Sequence, residues 1–228
     1  MQYDDTITII TGILTPLFVE ELIESYKDVK HKMVSTWKDS NRILIEELKS
    51  NGFKVVLSES PSHGSSANNQ IVCVHNGIRA AISLGYKYIC RSRTDIFPKN
   101  HIKFLEVVRD LYMEKVTVLC GVSLFNTNFY LDVIMCGSSD QLLVVFSRLQ
   151  EPNKVYKNPE LYFLENYAKH LIETQEDVKK YLNFAKDKCI ESNIEIIWYR
   201  PYDCISFPRT IPYTNLISEY CNAPFIYN

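Results

Sequence analysis

Tyr86-Lys87-Tyr88-Ile89-Cys90-Arg91-Ser92-Arg93-Thr94-Asp95 begins as an apolar, aromatic run and ends in three charged side chains. Residues 86–91 have the composition of a buried β-strand. In extended chain, alternate side chains share a face, so Arg91, Arg93 and Asp95 point the same way. Two guanidiniums and a carboxylate that leave an apolar strand together are costly to bury unless each finds a partner. Pairing within the cluster or solvation would satisfy them, and so would an anionic ligand. Their place in the fold decides between these readings.

Upstream of this stretch, strands and helices alternate. Residues 6–11 are β-branched and continuous, as a buried parallel strand tends to be. Thr15-Pro16 then offers a helix cap followed by a proline at the first helical position, and Phe18, Val19, Leu22, Ile23 and Tyr26 form one apolar helix face. Residues 32–36 predict a second strand. Ser40 is the expected cap of the next helix, with Ile43, Leu44 and Leu48 facing inward and Asn51-Gly52 as its stop. A third strand is expected at 53–57. Residues 58–67, with proline, histidine, glycine and serines but no periodicity, are expected to form a loop. Asn68 can cap the following helix, whose core stripe is Ile71, Val74, Ile78, Ala81 and Ile82, and Gly85 ends it. Strand 86–91 follows.

Downstream, helices are expected near 100–112 and 139–149, and strands at 116–119 and 129–136. Asn158-Pro159 starts a further helix with Leu161, Leu164, Tyr167, Ala168 and Leu171 inward, and Val178, Tyr181, Leu182, Ala185 and Cys189 repeat the same period. A short strand at 194–198 precedes a tail rich in proline and tyrosine, expected to drape over the surface. The pattern predicts an α/β fold with a mainly parallel central sheet flanked by helices. Ligands of such sheets bind at the carboxyl ends of the strands, which is where Arg91, Arg93 and Asp95 emerge.

Composition removes several functional classes. The chain has 228 residues, 23% of them charged, with a formal net charge of −2. That length suits one domain with a continuous core, and the charge balance gives no reason to expect a nucleic-acid partner. Seven cysteines, at 73, 90, 120, 136, 189, 204 and 221, show no metal-type spacing, and Cys73, Cys90, Cys120 and Cys136 lie in apolar stretches. They are expected to be reduced and buried, as in a cytoplasmic protein. The opening Met-Gln-Tyr-Asp-Asp-Thr-Ile lacks the basic start of a signal peptide. No apolar run approaches the ~20 residues of a membrane span, so membrane contact is expected to be peripheral at most. Thr11-Gly12-Ile13-Leu14-Thr15 is too poor in glycine for a dinucleotide fold or for the glycine-rich loop of a sugar-nucleotide pyrophosphorylase. Neither a phosphate loop of the G-x-x-x-x-G-K-[ST] kind nor a G-x-S-x-G elbow is present.

The strand-end cluster suits a leaving diphosphate. Sugar transfer from a nucleoside diphosphate builds negative charge on that group, and arginine forks or a carboxylate-held divalent cation stabilise it. Other strand-end residues are candidates for the same ligand. Thr11-Gly12 is suited to close backbone approach, or simply to a turn. Trp37, with Asp39, can stack on and hydrogen-bond a base, or only pack. Asn69 and Gln70 can hydrogen-bond sugar or phosphate near a helix start. His63 reads as a solvent residue in a loop that can order over the donor.

Several of these stretches resemble the WavE family of lipopolysaccharide-synthesis glycosyltransferases. The likeness lies in Asn68-Asn69-Gln70-Ile71-Val72, Asn76-Gly77-Ile78 and the block from Tyr86 to Asp95, with Val34-Ser35-Thr36-Trp37 upstream. Asp132, Cys136-Gly137 and Pro159-Glu160 follow in the family's order, and the likeness spans about 6–172. It implies a single GT-A-like (Rossmann-type) domain over 1–228, with a nucleotide-sugar half at about 1–120 and an acceptor-side half at about 121–228. It also implies a nucleoside-diphosphate-sugar donor, a glycan or lipid-linked glycan acceptor, and an Asp-x-Asp metal motif. Asp95 would be the acidic residue of that motif, holding Mn²⁺ or Mg²⁺, although the position two before it is Arg93. Arginines at this place can take over part of a metal's role.

Two carboxylates are candidates for the base that deprotonates the acceptor. Asp132 sits in an apolar run, and Glu160 at a helix start, where the dipole alone would favour an acid. Lys179, Lys180, Lys186 and Lys188 alternate with Glu176, Asp177 and Asp187, as on a solvated helix face. The alternative to a transferase is a nucleotide- or glycan-binding module without turnover.

Overall fold

A computed structural model of the chain describes residues 3–61, 66–98, 101–102, 105–106, 118–120, 134–147, 163, 195–198 and 209–212. Four strands, β1 (Thr6–Thr11), β2 (Lys32–Trp37), β3 (Lys54–Ser58) and β4 (Tyr88–Arg93), run parallel. With β6 (Val118–Cys120) and β7 (Ile134–Ser138) they form one six-stranded sheet in the order β3-β2-β1-β4-β7-β6. β7 is antiparallel to both β4 and β6, so the sheet is mixed but mostly parallel. β5 (Ile96–Pro98), β8 (Glu195–Trp198) and β9 (Arg209–Pro212) form a second, antiparallel sheet.

Helices cover both faces of the main sheet. On one side α1 (Pro16–Ser25) and α2 (Arg42–Ser50) pack on Ile10 and Val34 through Phe18, Val19, Leu22, Leu44, Ile45 and Leu48. On the other, α3 (Ser66–Ser83) and α4 (Ser139–Val145) cover Ile7, Ile9, Met33, Ile89 and Met135. Alternation along β1 therefore feeds two cores, with Ile9 on one face and Ile10 on the other. The fold class read from the sequence is the fold observed.

Local signals set most boundaries. Thr15 caps α1, its hydroxyl accepting from the Phe18 amide at 3.2 Å, with Pro16 at the first turn. Asn51-Gly52 ends α2, with Gly52 at φ 81, and Gly85 ends α3 at φ 88.

Some expectations are corrected. Asn41, not Ser40, caps α2, its side chain accepting from the Ile43 amide at 2.9 Å. The shift in phase leaves Ile43 75% exposed and buries Ile45. Helix α3 opens at Ser66 rather than after Asn68, so Asn68 lies within its first turn. Its stripe of Ile71, Val74, Ile78 and Ala81 is buried as expected, but Ile82 is partly exposed. The strand expected at 86–91 is shifted to Tyr88–Arg93 because Tyr86 closes α3 by donating to the Ala81 carbonyl. The tail expected to drape over the surface includes β9, whose Thr210 and Ile211 pair with Ile197 and Ile196. Of the strand expected at 129–136, only the part from Ile134 is described. The helices expected over 158–172 and 178–189 lie outside the described residues, apart from Phe163, which is buried against Phe146.

Gly77 is where α3 comes closest to the sheet. A Cβ there would lie 3.0 Å from Ile9 Cγ2 and 3.1 Å from Ser35 Cβ, both side chains of fully buried residues. Gly77→Val is therefore expected to destabilise the fold by about 1–3 kcal/mol through overpacking. Urea unfolding checks this, and an unchanged midpoint would mean that α3 does not sit so close.

Candidate functional site

The carboxyl ends of β1, β2 and β4 meet at one cavity of about 240 Å³, lined by Thr11, Gly12, Ile13, Phe18, Trp37, Asn69, Gln70, Cys73, Arg91, Arg93, Thr94 and Asp95. The eight residues expected at a ligand from the sequence, Thr11, Gly12, Trp37, Asn69, Gln70, Arg91, Arg93 and Asp95, all lie on its wall. They come from four separate stretches of chain, brought together by the β2-β1-β4 order and by α3 crossing beside it. Asp39 is exposed and is not part of this wall, and His63, Asp132 and Glu160 lie outside the described residues.

β4 carries the charged groups. Thr11 pairs with Arg93, and Ile9 with Arg91, in register along β1. Because the strand runs to Arg93, both arginines are fixed by the sheet rather than held on a loop. Arg91 is the largest fully buried side chain among the described residues, 1% exposed. Its Nε donates to Thr11 Oγ1 at 3.2 Å, and its guanidinium lies 5.7 Å from the centre of the Phe146 ring. Thr11 in turn donates its hydroxyl to the Ser92 carbonyl at 3.2 Å, so one threonine joins β1 to the arginine. Tyr26 reaches the same strand from the end of α1, donating to Ser92 Oγ at 3.0 Å. Burial pushes the Tyr26 phenol far above its ordinary range, so it stays a neutral donor.

Arg93 and Asp95 form a two-pronged ion pair. Arg93 Nε donates to Asp95 Oδ1 at 2.9 Å and an Arg93 Nη donates to Asp95 Oδ2 at 2.7 Å. Asp95 is 5% exposed at its side chain and Arg93 21%. The pair is therefore enclosed at the carboxylate and open to the cavity at the guanidinium. A pair in this geometry is the strong kind, with both carboxylate oxygens satisfied.

Gly12 lets the first strand turn tightly against this group. It has φ 142, and a Cβ there would overlap Thr94 Oγ1. Its amide donates to the Ser35 carbonyl at 3.2 Å, and its carbonyl accepts from Thr36 Oγ1 at 2.8 Å, which ties the β1 end to β2.

Helix α3 presents Asn69 and Gln70 to the cavity because its next turns are bolted to the sheet. Ser35 Oγ donates to the Cys73 carbonyl at 2.6 Å, the Cys73 thiol donates back to the Ser35 carbonyl, and Asn76 donates to Ser58 Oγ at 3.0 Å. Burial holds the Cys73 thiol up at about 11, so it stays protonated at neutral pH and is no nucleophile. The buried oxygens Asn69 Oδ1 and Gln70 Oε1 have no hydrogen-bond partner among the described residues. Such acceptors are expensive to leave unpaired and suit a ligand that brings hydroxyl or amino donors.

Phe18, Cys73 and Thr94 also line the cavity and were not singled out as site residues. Cys73 lies four residues after Asn69 and three after Gln70, on the same helix face, so helical spacing could have found it. Thr94 is found only through its contact with Gly12, which no local sequence signal shows.

The expected metal role of Asp95 does not fit this arrangement. Both carboxylate oxygens already accept from Arg93, and a divalent cation beside them would face a guanidinium.

No protein-family model matches the chain, and no curated protein does. Solved structures show a partial likeness. A cytidylyltransferase from Leptospira borgpetersenii serovar Hardjo-bovis is 16% identical, with a TM-score of 0.46 over 99% of this chain and 100% of that one. A 4-diphosphocytidyl-2C-methyl-D-erythritolsynthase from Anaerococcus prevotii is 11% identical, with a TM-score of 0.47 over 75% of this chain and 83% of that one. A mannose-1-phosphate geranyltransferase from Thermus thermophilus is 10% identical, with a TM-score of 0.41 over 71% of this chain and 68% of that one.

Proposed function

We propose that this chain is a glycosyltransferase that moves a sugar from a nucleoside-diphosphate sugar to a hydroxyl of a glycan or lipid-linked glycan in polysaccharide synthesis. The observation that carries this reading is the gathering of Trp37, Asn69, Gln70, Arg91 and Arg93 around one cavity at the strand ends. An aromatic ring suits a base, carboxamide oxygens suit hydroxyls, and guanidiniums suit a diphosphate. The resemblance over about 6–172 supports a GT-A-like domain, with the acceptor side contributed by the second half of the chain. A cytoplasmic protein with at most peripheral membrane contact agrees with this reading. No helix among the described residues is long and apolar enough to cross a membrane.

In the proposed reaction the bond from the sugar's anomeric carbon to the β-phosphate oxygen breaks, and the electron pair leaves with the nucleoside diphosphate. The acceptor oxygen bonds to that carbon and gives up its proton. Arg91 and Arg93 counter the charge that grows on the leaving group. Asp132 is the proposed base and Glu160 the second candidate. A binding module without turnover is the alternative, and it draws on the Arg93–Asp95 pair, which stands where a second acidic residue would be.

Incubation with a panel of nucleoside-diphosphate sugars, with and without Mn²⁺, separates the two. An enzyme releases free nucleoside diphosphate slowly from one of them, whereas a module binds and releases none. Arg93→Ala is expected to lower the release rate by at least ~10²-fold, the scale of a lost transition-state charge contact. A folded Arg93→Ala variant with a near-normal rate would remove Arg93 from the reaction. Independently, a nucleoside diphosphate at ten times its Kd is expected to raise the melting temperature by roughly 2–5 °C. No shift with any of the four common bases at millimolar concentration would remove the nucleotide from the reading.

A further inference from the structure

The Arg93–Asp95 pair reverses the roles that a carboxylate and a cation would have in a metal-assisted site. A hard divalent ion takes a carboxylate oxygen at ~2.0–2.2 Å and completes its shell with phosphate and water. Asp95 offers neither oxygen freely, since each accepts a short bond from the same guanidinium. A carboxylate keeps further lone pairs, but a cation that took those of Asp95 would sit beside the Arg93 guanidinium. Among the described residues, the charged groups of the cavity wall are Arg91, Arg93 and Asp95.

Resting on the nucleoside-diphosphate reading above, we propose that this site holds the diphosphate by guanidinium charge without a divalent cation, and that Asp95 is a positioning residue that sets Arg93. The fork engages Arg93 through Nε and one Nη, and fixes the plane of the guanidinium. A side chain 21% exposed on the cavity wall, held in one plane, can meet a phosphate without first losing the rotamer freedom of a loose arginine. Arg91 lies two residues back on the same strand, fixed by Thr11, and adds the second charge. Asp95 thus acts on the ligand through Arg93.

Isothermal titration of the full-length protein with the diphosphates of uridine, cytidine, guanosine and adenosine tests this directly. The tightest of them should bind with the same affinity, within about 3-fold, in EDTA and in Mn²⁺, and more weakly as NaCl is raised. Arg93→Lys, which cannot reproduce the fork, should weaken binding in EDTA by ~10-fold or more. Asp95→Ala should weaken it as well, but not when Arg93 is already Ala, because the aspartate's effect passes through the arginine. Thermal unfolding without ligand checks that each variant is folded, and the comparison of EDTA with Mn²⁺ needs no variant.

A loss of ~10-fold or more in EDTA, restored by Mn²⁺, would overturn the proposal, since a bound cation would then carry the diphosphate charge. Asp95→Ala that costs nothing in the wild type, or as much with Arg93 absent as present, would overturn the positioning role. Failure of every diphosphate to bind under both conditions would remove the nucleotide reading itself and this proposal with it. Metal-dependent binding would leave the nucleotide reading standing.

Discussion

A guanidinium enclosed by a β-sheet is tolerable only where the sheet gives back hydrogen bonds and charge. Arg91 is in that position, 1% exposed in the fourth strand, with Thr11 at its Nε and the Phe146 ring beside it. Two residues on, Arg93 meets the same requirement by its fork to Asp95. The neighbouring elements are arranged around this row. Thr11 joins it to β1, Tyr26 joins it to α1 through Ser92, and Gly12 stays without a side chain so that Thr94 can pass. Apolar residues on the strand would be cheaper for stability alone. Positive charge at this strand end is what a site for an anion requires.

The same bonds that stabilise the sheet also set the cavity wall. Ser35 and Cys73 exchange hydrogen bonds between β2 and α3, and Gly77 lets the helix approach Ile9 and Ser35 closely. Asn69 and Gln70, one turn earlier, are thereby placed against the strand ends. Rigid elements hold the groups of a binding site more precisely than loops do, and here both arginines and both carboxamides are on strand or helix. The carboxamide oxygens of Asn69 and Gln70 are polar groups for which the described residues supply no hydrogen-bond partner.

Much of this was legible in the sequence because the responsible forces are local. β-branched runs, Thr15-Pro16 and Asn51-Gly52 mark strands, a helix start and a helix stop by φ/ψ preference and capping alone. Alternation along β4 put Arg91 and Arg93 on one side, Asp95 follows in the turn before β5, and the rule that ligands meet the carboxyl ends of parallel strands put them beside Thr11, Gly12 and Trp37. What was missed depends on partners distant in sequence. The phase of α2 turns on whether Ser40 or Asn41 caps it, and the start of β4 on Tyr86 closing the preceding helix. Strand β9 exists because β8 offers an edge, which no pattern within residues 209–212 reveals. The metal role given to Asp95 came from resemblance to a two-aspartate motif. Arg93, visible in the sequence at the place of the first aspartate, is the residue that donates to both Asp95 oxygens.

A crystal of the protein soaked with a nucleoside diphosphate in EDTA tests the central claim most directly. The account predicts phosphate oxygens at hydrogen-bond distance, ~2.7–3.0 Å, from Arg93 and Arg91, the Arg93–Asp95 fork intact, and the base against Trp37. A nucleotide bound elsewhere, or phosphates that reach the cavity only once a cation has displaced Arg93 from Asp95, would contradict it.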